Sequence, residues 1–259
     1  MVLVESPSDY SCIELLLSSL HFSLSISRHS SGMDARQLHL YEHAENGRAV
    51  ALAELVDRHP TLDLDWLNPE GGYETALGVA ARHGGAPGQL RCAELLLSRG
   101  ASTSAATYQG LLPLTAAAIS GYDKMVSLLL ERKADIGAMD FSLCGATALH
   151  AVCVGAHDSG ARGQLACADA LLSNGAPLDA VDGDGWTPLM QSALLGHSQM
   201  IEKLLAAGAS TAPRVTAGFS AYVGHNALEI AQGERHDSCV ALLLTAADNL
   251  PRTSKARVE

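Results

Sequence analysis

The sequence predicts an all-α solenoid of stacked helix–turn–helix units joined by short β-hairpin-like fingers. Three observations carry that prediction. One frame of residues recurs along the chain, proline and glycine punctuate it at fixed places, and the composition is 47% hydrophobic but only 4% aromatic. That much apolar content is more than a disordered chain carries. With so few aromatics the core must be built from Ala, Leu, Val and Cys, which suits thin, closely packed layers better than one globular centre.

The clearest unit runs Asp182-Gly-Asp-Gly-Trp-Thr-Pro-Leu-Met-Gln-Ser-Ala-Leu-Leu-Gly-His197 and continues Met200-Ile-Glu-Lys-Leu-Leu-Ala-Ala-Gly-Ala209. Thr75-Ala-Leu-Gly-Val-Ala-Ala81 leads in the same way to Leu95-Leu-Leu-Ser-Arg-Gly-Ala101, and Leu112-Pro-Leu-Thr-Ala-Ala-Ala118 to Leu128-Leu-Leu-Glu-Arg-Lys-Ala134. Thr147-Ala-Leu-His-Ala151 leads to Leu171-Leu-Ser-Asn-Gly-Ala176. Each element has a physical reason. Pro113 and Pro188 occupy a first helical turn, where the missing N–H has no partner to lose and the fixed φ is already helical. Thr147 and Thr187 precede a helix and predict N-caps. Gly100, Gly175 and Gly208 follow Leu-rich runs and predict left-handed C-terminal caps. Leu77, Ala80 and Ala81, like Leu189 and Ala193, fall at helical spacing. Helices this short do not hold alone and must bury against the next unit.

These motifs resemble the ankyrin repeat, with its turn, its Thr-Pro-Leu-His-like helix start, its Gly-His elbow and its Leu-Leu-x-x-Gly-Ala ending. The resemblance spans roughly residues 34–247. Two degenerate copies flank the four clear ones, upstream at Leu38–Val56 and downstream at Asn226–Leu244, as expected of terminal repeats that shield the last apolar layer from water. About six repeats result, preceded by a leader (1–33) and followed by a tail (248–259). Within the leader, Cys12-Ile-Glu-Leu-Leu-Leu-Ser-Ser19 copies Cys92-Ala-Glu-Leu-Leu-Leu-Ser-Arg99, so it is either half of a further repeat or a poorly ordered segment.

The register has an internal check. The residue opening each second-helix apolar run reads Cys92, Met125, Cys167, Met200, Cys239 in successive repeats. Soft sulfur side chains there predict packing between repeats. Gly88-Gln-Leu-Arg-Cys-Ala93 is mirrored by Gly163-Gln-Leu-Ala-Cys-Ala168, which points to duplication of a two-repeat unit. The repeat starts Thr75, Leu112, Thr147 and Thr187 are 37, 35 and 40 residues apart, against ~33 for the family. The excess is expected as mobile Gly-rich loops at 83–88 and 156–163, with a third insertion at 211–225 enlarging the last finger.

A formal net charge of −11 argues against a nucleic-acid module, which needs a basic footprint. No run reaches the ~18 apolar residues of a membrane span, and the flank of residues 12–26 is acidic where a signal peptide is basic. Six cysteines without a CxxC pair are expected to be reduced, buried thiols of a cytoplasmic or nuclear protein. His150, Cys153 and His157 share a helical spacing, but no fourth ligand is placed, and the resemblance assigns His150 to ordering the turn, so no metal and no cofactor are expected. Gly218-Phe-Ser-Ala-Tyr222 lacks the closing glycine and the strand–turn–helix setting of a nucleophile elbow. No phosphate loop or dinucleotide fingerprint is present.

The function expected is therefore non-catalytic: a scaffold or adaptor, expected as a monomer, that binds a partner protein. A regulatory or inhibitory subunit, or an enzyme with a site in the inserted loops, are the alternatives. By the resemblance, binding falls on the finger tips and the exposed edge of the first helices. That nominates Tyr108, Leu111, Trp186, Leu194, Leu195, Tyr222, Arg82 and His83, with Trp186 and Tyr108 as exposed aromatic anchors.

Overall fold

The structure is a computed structural model that describes residues 34–107, 109–155, 161–216 and 221–249. Among them are twelve α-helices, one short 3-10 turn at Phe141–Leu143 and no strand. The helices come in six pairs: α1 (Ala35–Glu45) with α2 (Ala49–Arg58), α3 (Ala76–Arg82) with α4 (Pro87–Ser98), α5 (Pro113–Ile119) with α6 (Asp123–Glu131), α7 (Ala148–Gly155) with α8 (Ala161–Ser173), α9 (Pro188–Leu194) with α10 (Ser198–Ala206), and α11 (Ala227–Gly233) with α12 (Asp237–Asn249).

The chain divides into two compact units, 1–177 and 178–259. In the first, the leading helices stack α1 on α3 on α5 on α7, and the following helices stack α2 on α4 on α6 on α8. In the second, α9 stacks on α11 and α10 on α12. Stacking on several sides explains the Ala-rich composition. Every residue of α3 from Ala76 to Ala81, and of α5 from Pro113 to Ala118, is buried, whereas α1 buries only Leu40, Tyr41 and Ala44. Small side chains let these short helices touch closely on two sides.

The predicted punctuation holds at both prolines, at Thr187 and at the three glycines. Pro113 and Pro188 open α5 and α9, Thr187 Oγ1 accepts from Met190 N at 3.3 Å, and Thr75 Oγ1 from Gly78 N at 3.0 Å. Gly100, Gly175 and Gly208 close their helices at φ of 96°, 82° and 98°. Each is followed by a buried alanine whose N–H reaches back five residues, as Ala101 to the Leu96 carbonyl at 3.0 Å and Ala209 to Leu204 at 2.9 Å. In the α6 repeat Lys133 takes the same left-handed place, at φ 67°. The recurring sulfur position is internal in both units: Cys92, Met125 and Cys167 in the first and Met200 and Cys239 in the second are all buried. Burial pushes the Cys92 thiol up to about 11 and, with help from Asp123, Cys167 to about 12, so neither is a ready nucleophile.

Two expectations are corrected. The Gly-rich stretches expected as loops at 83–88 and 156–163 are shorter than expected: 83–86 form the turn between α3 and α4, Pro87-Gly88 and 161–163 are first helical turns of α4 and α8, and 156–160 lie outside the described residues. The glycines serve close approach, because a Cβ on Gly88 would lie 2.4 Å from the Gly47 carbonyl oxygen, and one on Gly163 would lie 2.4 Å from that of Gly121. Nor are all six cysteines reduced: Cys92, Cys153, Cys167 and Cys239 are free, whereas Cys144 is disulfide-bonded. Cys144 is half-exposed in a finger rather than buried in a helix.

Two stability measurements follow from these positions. Lys133→Gly is expected to raise the urea-unfolding free energy by about 0.5–1 kcal/mol, because glycine alone takes left-handed φ freely. Gly88→Ala and Gly163→Ala are each expected to lower it by about 1–3 kcal/mol through overpacking against backbone.

Candidate protein-interaction surface

Each finger is closed by a backbone pair. Asn68 N donates to Glu74 O (3.0 Å), Thr107 N to Leu111 O (3.0 Å) and Asp140 N to Ala146 O (2.8 Å) in the first unit. Asp182 N donates to Trp186 O (3.0 Å) and Val215 N to His225 O (3.0 Å) in the second. The fingers at 68 and 140 are thus two residues longer than those at 107 and 182, and the finger at 215 is longer still. This places the predicted third insertion in the last finger.

The side chain that opens a finger holds its turn. Asp140, fully buried, accepts from Ser142 N (3.0 Å), Ser142 Oγ (2.5 Å) and, across to the preceding finger, Leu112 N (2.8 Å). Asp182 accepts from Asp184 N (3.0 Å), Trp186 N (2.9 Å) and Gln191 Nε2 (3.1 Å). Burial nonetheless raises both carboxyls above their ordinary range, because three dipoles replace the water each carboxylate loses only in part. With their lone pairs occupied by turn donors, these acids set geometry and are not placed for proton transfer.

The nominated residues separate by unit. In the first, Arg82 is committed to buried Glu74, with Nη2 to Oε2 at 2.7 Å and Nε to Oε1 and Oε2 at 3.2 and 3.1 Å, so it latches α3 to its own finger. His83, next to it, is exposed at the helix end. Leu111 is half-buried, and Tyr108 lies outside the described residues. His150, by contrast, orders its turn as the resemblance implied: Nδ1 accepts from Thr147 N at 3.1 Å and lies 2.9 Å from Thr147 Oγ1.

In the second unit the expectation for Trp186 is corrected. It is only 4% exposed, because the donor role of its N–H to Asp182 draws the finger in and Tyr222 packs edge-on against its ring at 6.0 Å. Tyr222 also meets His225 at 5.8 Å and donates its hydroxyl to Glu234, an interaction that pushes the phenol up to about 12. Arg214 ties the same long finger down, to the Gly224 carbonyl and to Glu229. Leu194 and Leu195 are half-buried at the end of α9, where His236 Nε2 donates to the Leu194 carbonyl at 3.0 Å. Trp186 and Tyr222 are thus brought together in the second unit, Trp186 buried and Tyr222 half-buried beside it.

Residues that sequence reasoning passed over stand out instead. In the first unit Phe141 is 82% exposed, Met139 50% and Tyr73 46%. Leu67 is exposed as well, and Leu67, Met139 and Val181 each immediately precede a finger's opening residue. A Cβ on Gly110 would lie 3.0 Å from Phe141 Cβ, so this phenylalanine rides on the adjoining finger's backbone with its ring in solvent. The signal was present in the register: a large apolar residue beside each buried turn acid, at a position that faces away from the stack.

The helix pairs, the buried Ala faces and the finger turns are matched by a family model described as "Ankyrin repeats (3 copies)", over residues 1–140, 139–214 and 156–253. The chain belongs to the ankyrin repeat family. Ankyrin repeats are generally protein-interaction modules. Among curated relatives, human "Ankyrin repeat and SOCS box protein 16" is 38% identical over 125 residues, covering 48% of this chain and 27% of that protein, so the match spans about a quarter of the relative's length. Among solved structures, an ankyrin repeat domain from Acinetobacter baumannii AYE superposes with a TM-score of 0.65 at 24% identity, over 81% of this chain and 97% of that one, a likeness of fold. Among the described residues no helix is long and apolar enough to cross a membrane.

Asp182 offers a pH test of the turn acids. Its folded-state proton affinity is raised by burial, so the stabilisation from holding that proton is complete below the ordinary value of 3.8 and is lost as pH rises through the folded value. Asp182→Asn keeps the two backbone bonds and carries no charge, so its stability relative to the parent should improve steadily from about pH 3 to pH 7. Asp182→Ala leaves Trp186 N and the Gln191 amide unpaired, and should cost about 2 kcal/mol or more at pH 7. Chemical denaturation of the three proteins across that range checks both signs.

Proposed function

We propose that this chain is a non-catalytic adaptor or scaffold that holds a partner protein on the fingers of its first unit. The single observation that carries the reading is the exposed pair Met139 and Phe141 on a finger whose turn is fixed by buried Asp140. An exposed aromatic on a rigid mount loses little entropy on binding, which is what makes such residues energetic centres of interfaces. Leu111 lies at the base of the neighbouring finger, and His83 and Tyr73 are exposed in the same unit, so they are the further contacts to test. The buried, saturated acids and the thiols with raised proton affinity supply no residue set for catalysis.

The test compares affinity-captured proteins for the parent, for Met139→Ser with Phe141→Ser, and for Glu94→Ala with Glu131→Ala on exposed positions of α4 and α6. Partners should be lost with the finger pair, at least ~30-fold in affinity for ~2 kcal/mol, and retained with the helix pair, while circular dichroism and Tm stay at the parent's values. Equal capture by the finger variant and the parent would contradict the reading.

A further inference from the structure

The cysteines of this chain fall into two groups. Five of the six are among the described residues, and four of these, Cys92, Cys153, Cys167 and Cys239, are free and buried within α4, α7, α8 and α12. The fifth, Cys144, is half-exposed in the turn of the finger that carries Met139 and Phe141, and it is disulfide-bonded. The bond is made within a single chain. None of the four free thiols is its partner. One other cysteine stands in the sequence, Cys12 of the leader.

The frame of the first unit allows that pairing. Its leading helices run side by side in one direction, because Ser120 at the end of α5 reaches the Arg82 carbonyl at the end of α3, and Gly155 at the end of α7 lies against the Ile119 carbonyl at the end of α5. Their starts therefore share one side of the stack. Asp34 immediately precedes α1, and Cys144 stands four residues before α7 begins, so both lie on that side, three repeats apart. Packed helices lie ~8–10 Å apart, which puts the gap at about 30 Å. Cys12 precedes Asp34 by 22 residues. At ~3.3 Å per residue that length of chain spans up to about 70 Å, more than twice the gap.

We propose that Cys144 and Cys12 form a redox-labile tether, which holds the leader at the finger of Met139 and Phe141 and lets it go when a thiol reductant opens the bond. The chemistry is two thiol–disulfide exchanges. The thiolate of one cysteine attacks a small disulfide such as glutathione disulfide and expels one thiolate. The second cysteine then displaces the other, so two electrons and two protons pass to glutathione. A dithiol reverses both steps and closes to its own cyclic disulfide.

The other thiols stay out of this exchange. They are buried, and burial lifts Cys92 to about 11 and Cys167 to about 12, so at neutral pH they are not thiolates. A structural framework pairs most of its cysteines. A single half-exposed bond beside four shielded thiols is instead the pattern of a bond that opens and closes. The tether stands independently of the proposed function, and it meets it at one point. Cys144 lies three residues from Phe141, so the state of the bond sets what stands beside the candidate surface.

The test maps the sulfurs of the purified full chain after incubation with glutathione disulfide. Denaturation in N-ethylmaleimide, digestion and mass spectrometry should recover one linked peptide pair, holding Cys12 and Cys144, with label on the other four cysteines. After native treatment with dithiothreitol, label should reach Cys12 and Cys144 before denaturant is added and the other four only after it. Amide hydrogen exchange of residues 139–146 should run several-fold faster in the reduced chain and in Cys12→Ser, with α9 and α10 unchanged. Cys144 recovered as a labelled thiol, joined to glutathione, to a second chain or to a cysteine other than Cys12 would overturn the tether. A Cys12–Cys144 bond whose opening leaves exchange at 139–146 unchanged would overturn the holding of the leader at this finger. Neither result touches the finger reading, which the Met139 and Phe141 substitutions test separately.

Discussion

The leading helices α3, α5 and α9 are only seven residues long, and the end of each is completed by a side chain from the following repeat. A helix of two turns leaves its last carbonyls without intrahelical partners. Here Gln89 Nε2 donates to the carbonyl of Glu45, the final residue of α1, at 3.0 Å. Ser120 Oγ donates to that of Arg82 at the end of α3 (3.4 Å), and Gln164 Nε2 to that of Ile119 at the end of α5 (3.4 Å). His236 Nε2 donates to Leu194 at the end of α9 (3.0 Å) in the second unit. Every helix end so completed belongs to one repeat and every donor to the next. The repeats are therefore not beads with sticky faces; each finishes the backbone accounting of its predecessor.

That constraint fixes the frame and frees the fingers. Gly88 and Gly163 bring α4 and α8 within touching distance of the preceding elbows, and the adjacent Gln89 and Gln164 then reach the waiting carbonyls. Close approach and capping are one device, used at both places. The fingers at 140 and 182 are held at their bases, by one backbone pair and one buried turn acid, Asp140 or Asp182. Residues next to that base, Met139 and Phe141 among them, carry no structural duty and can be selected for what they meet. A rigid mount with a variable face is the arrangement in which recognition can change without loss of the fold.

Much of the fold was legible because its punctuation is local. Pro113, Pro188, Thr187, Gly100, Gly175 and Gly208 act on their own backbone, and their residue types state their roles. The recurring sulfur position was legible as a period, from Cys92 to Cys239. What the sequence hid was contact between repeats. Gln, Ser, Gln and His share no pattern, although they perform one task, and Gly88 and Gly163 looked like loop formers because the surface they press against lies over forty residues away. The candidate surface suffered in the same way. Trp186 looked like an anchor by size, but its burial depends on Tyr222, more than thirty residues on. Phe141 belongs to no repeat motif, and only the fixed turn at Asp140 shows that it points to solvent.

The dependence of each leading helix on its successor is most directly tested at Gln164. Gln164→Ala removes the donor to the Ile119 carbonyl and should cost about 1 kcal/mol in global stability. Amide hydrogen exchange under native conditions then locates the loss. The account predicts that protection falls together in α8, which carries the substitution, and in α5, whose end it completes, while α1 keeps its protection. Loss confined to α8, with α5 exchanging as in the parent, would contradict it.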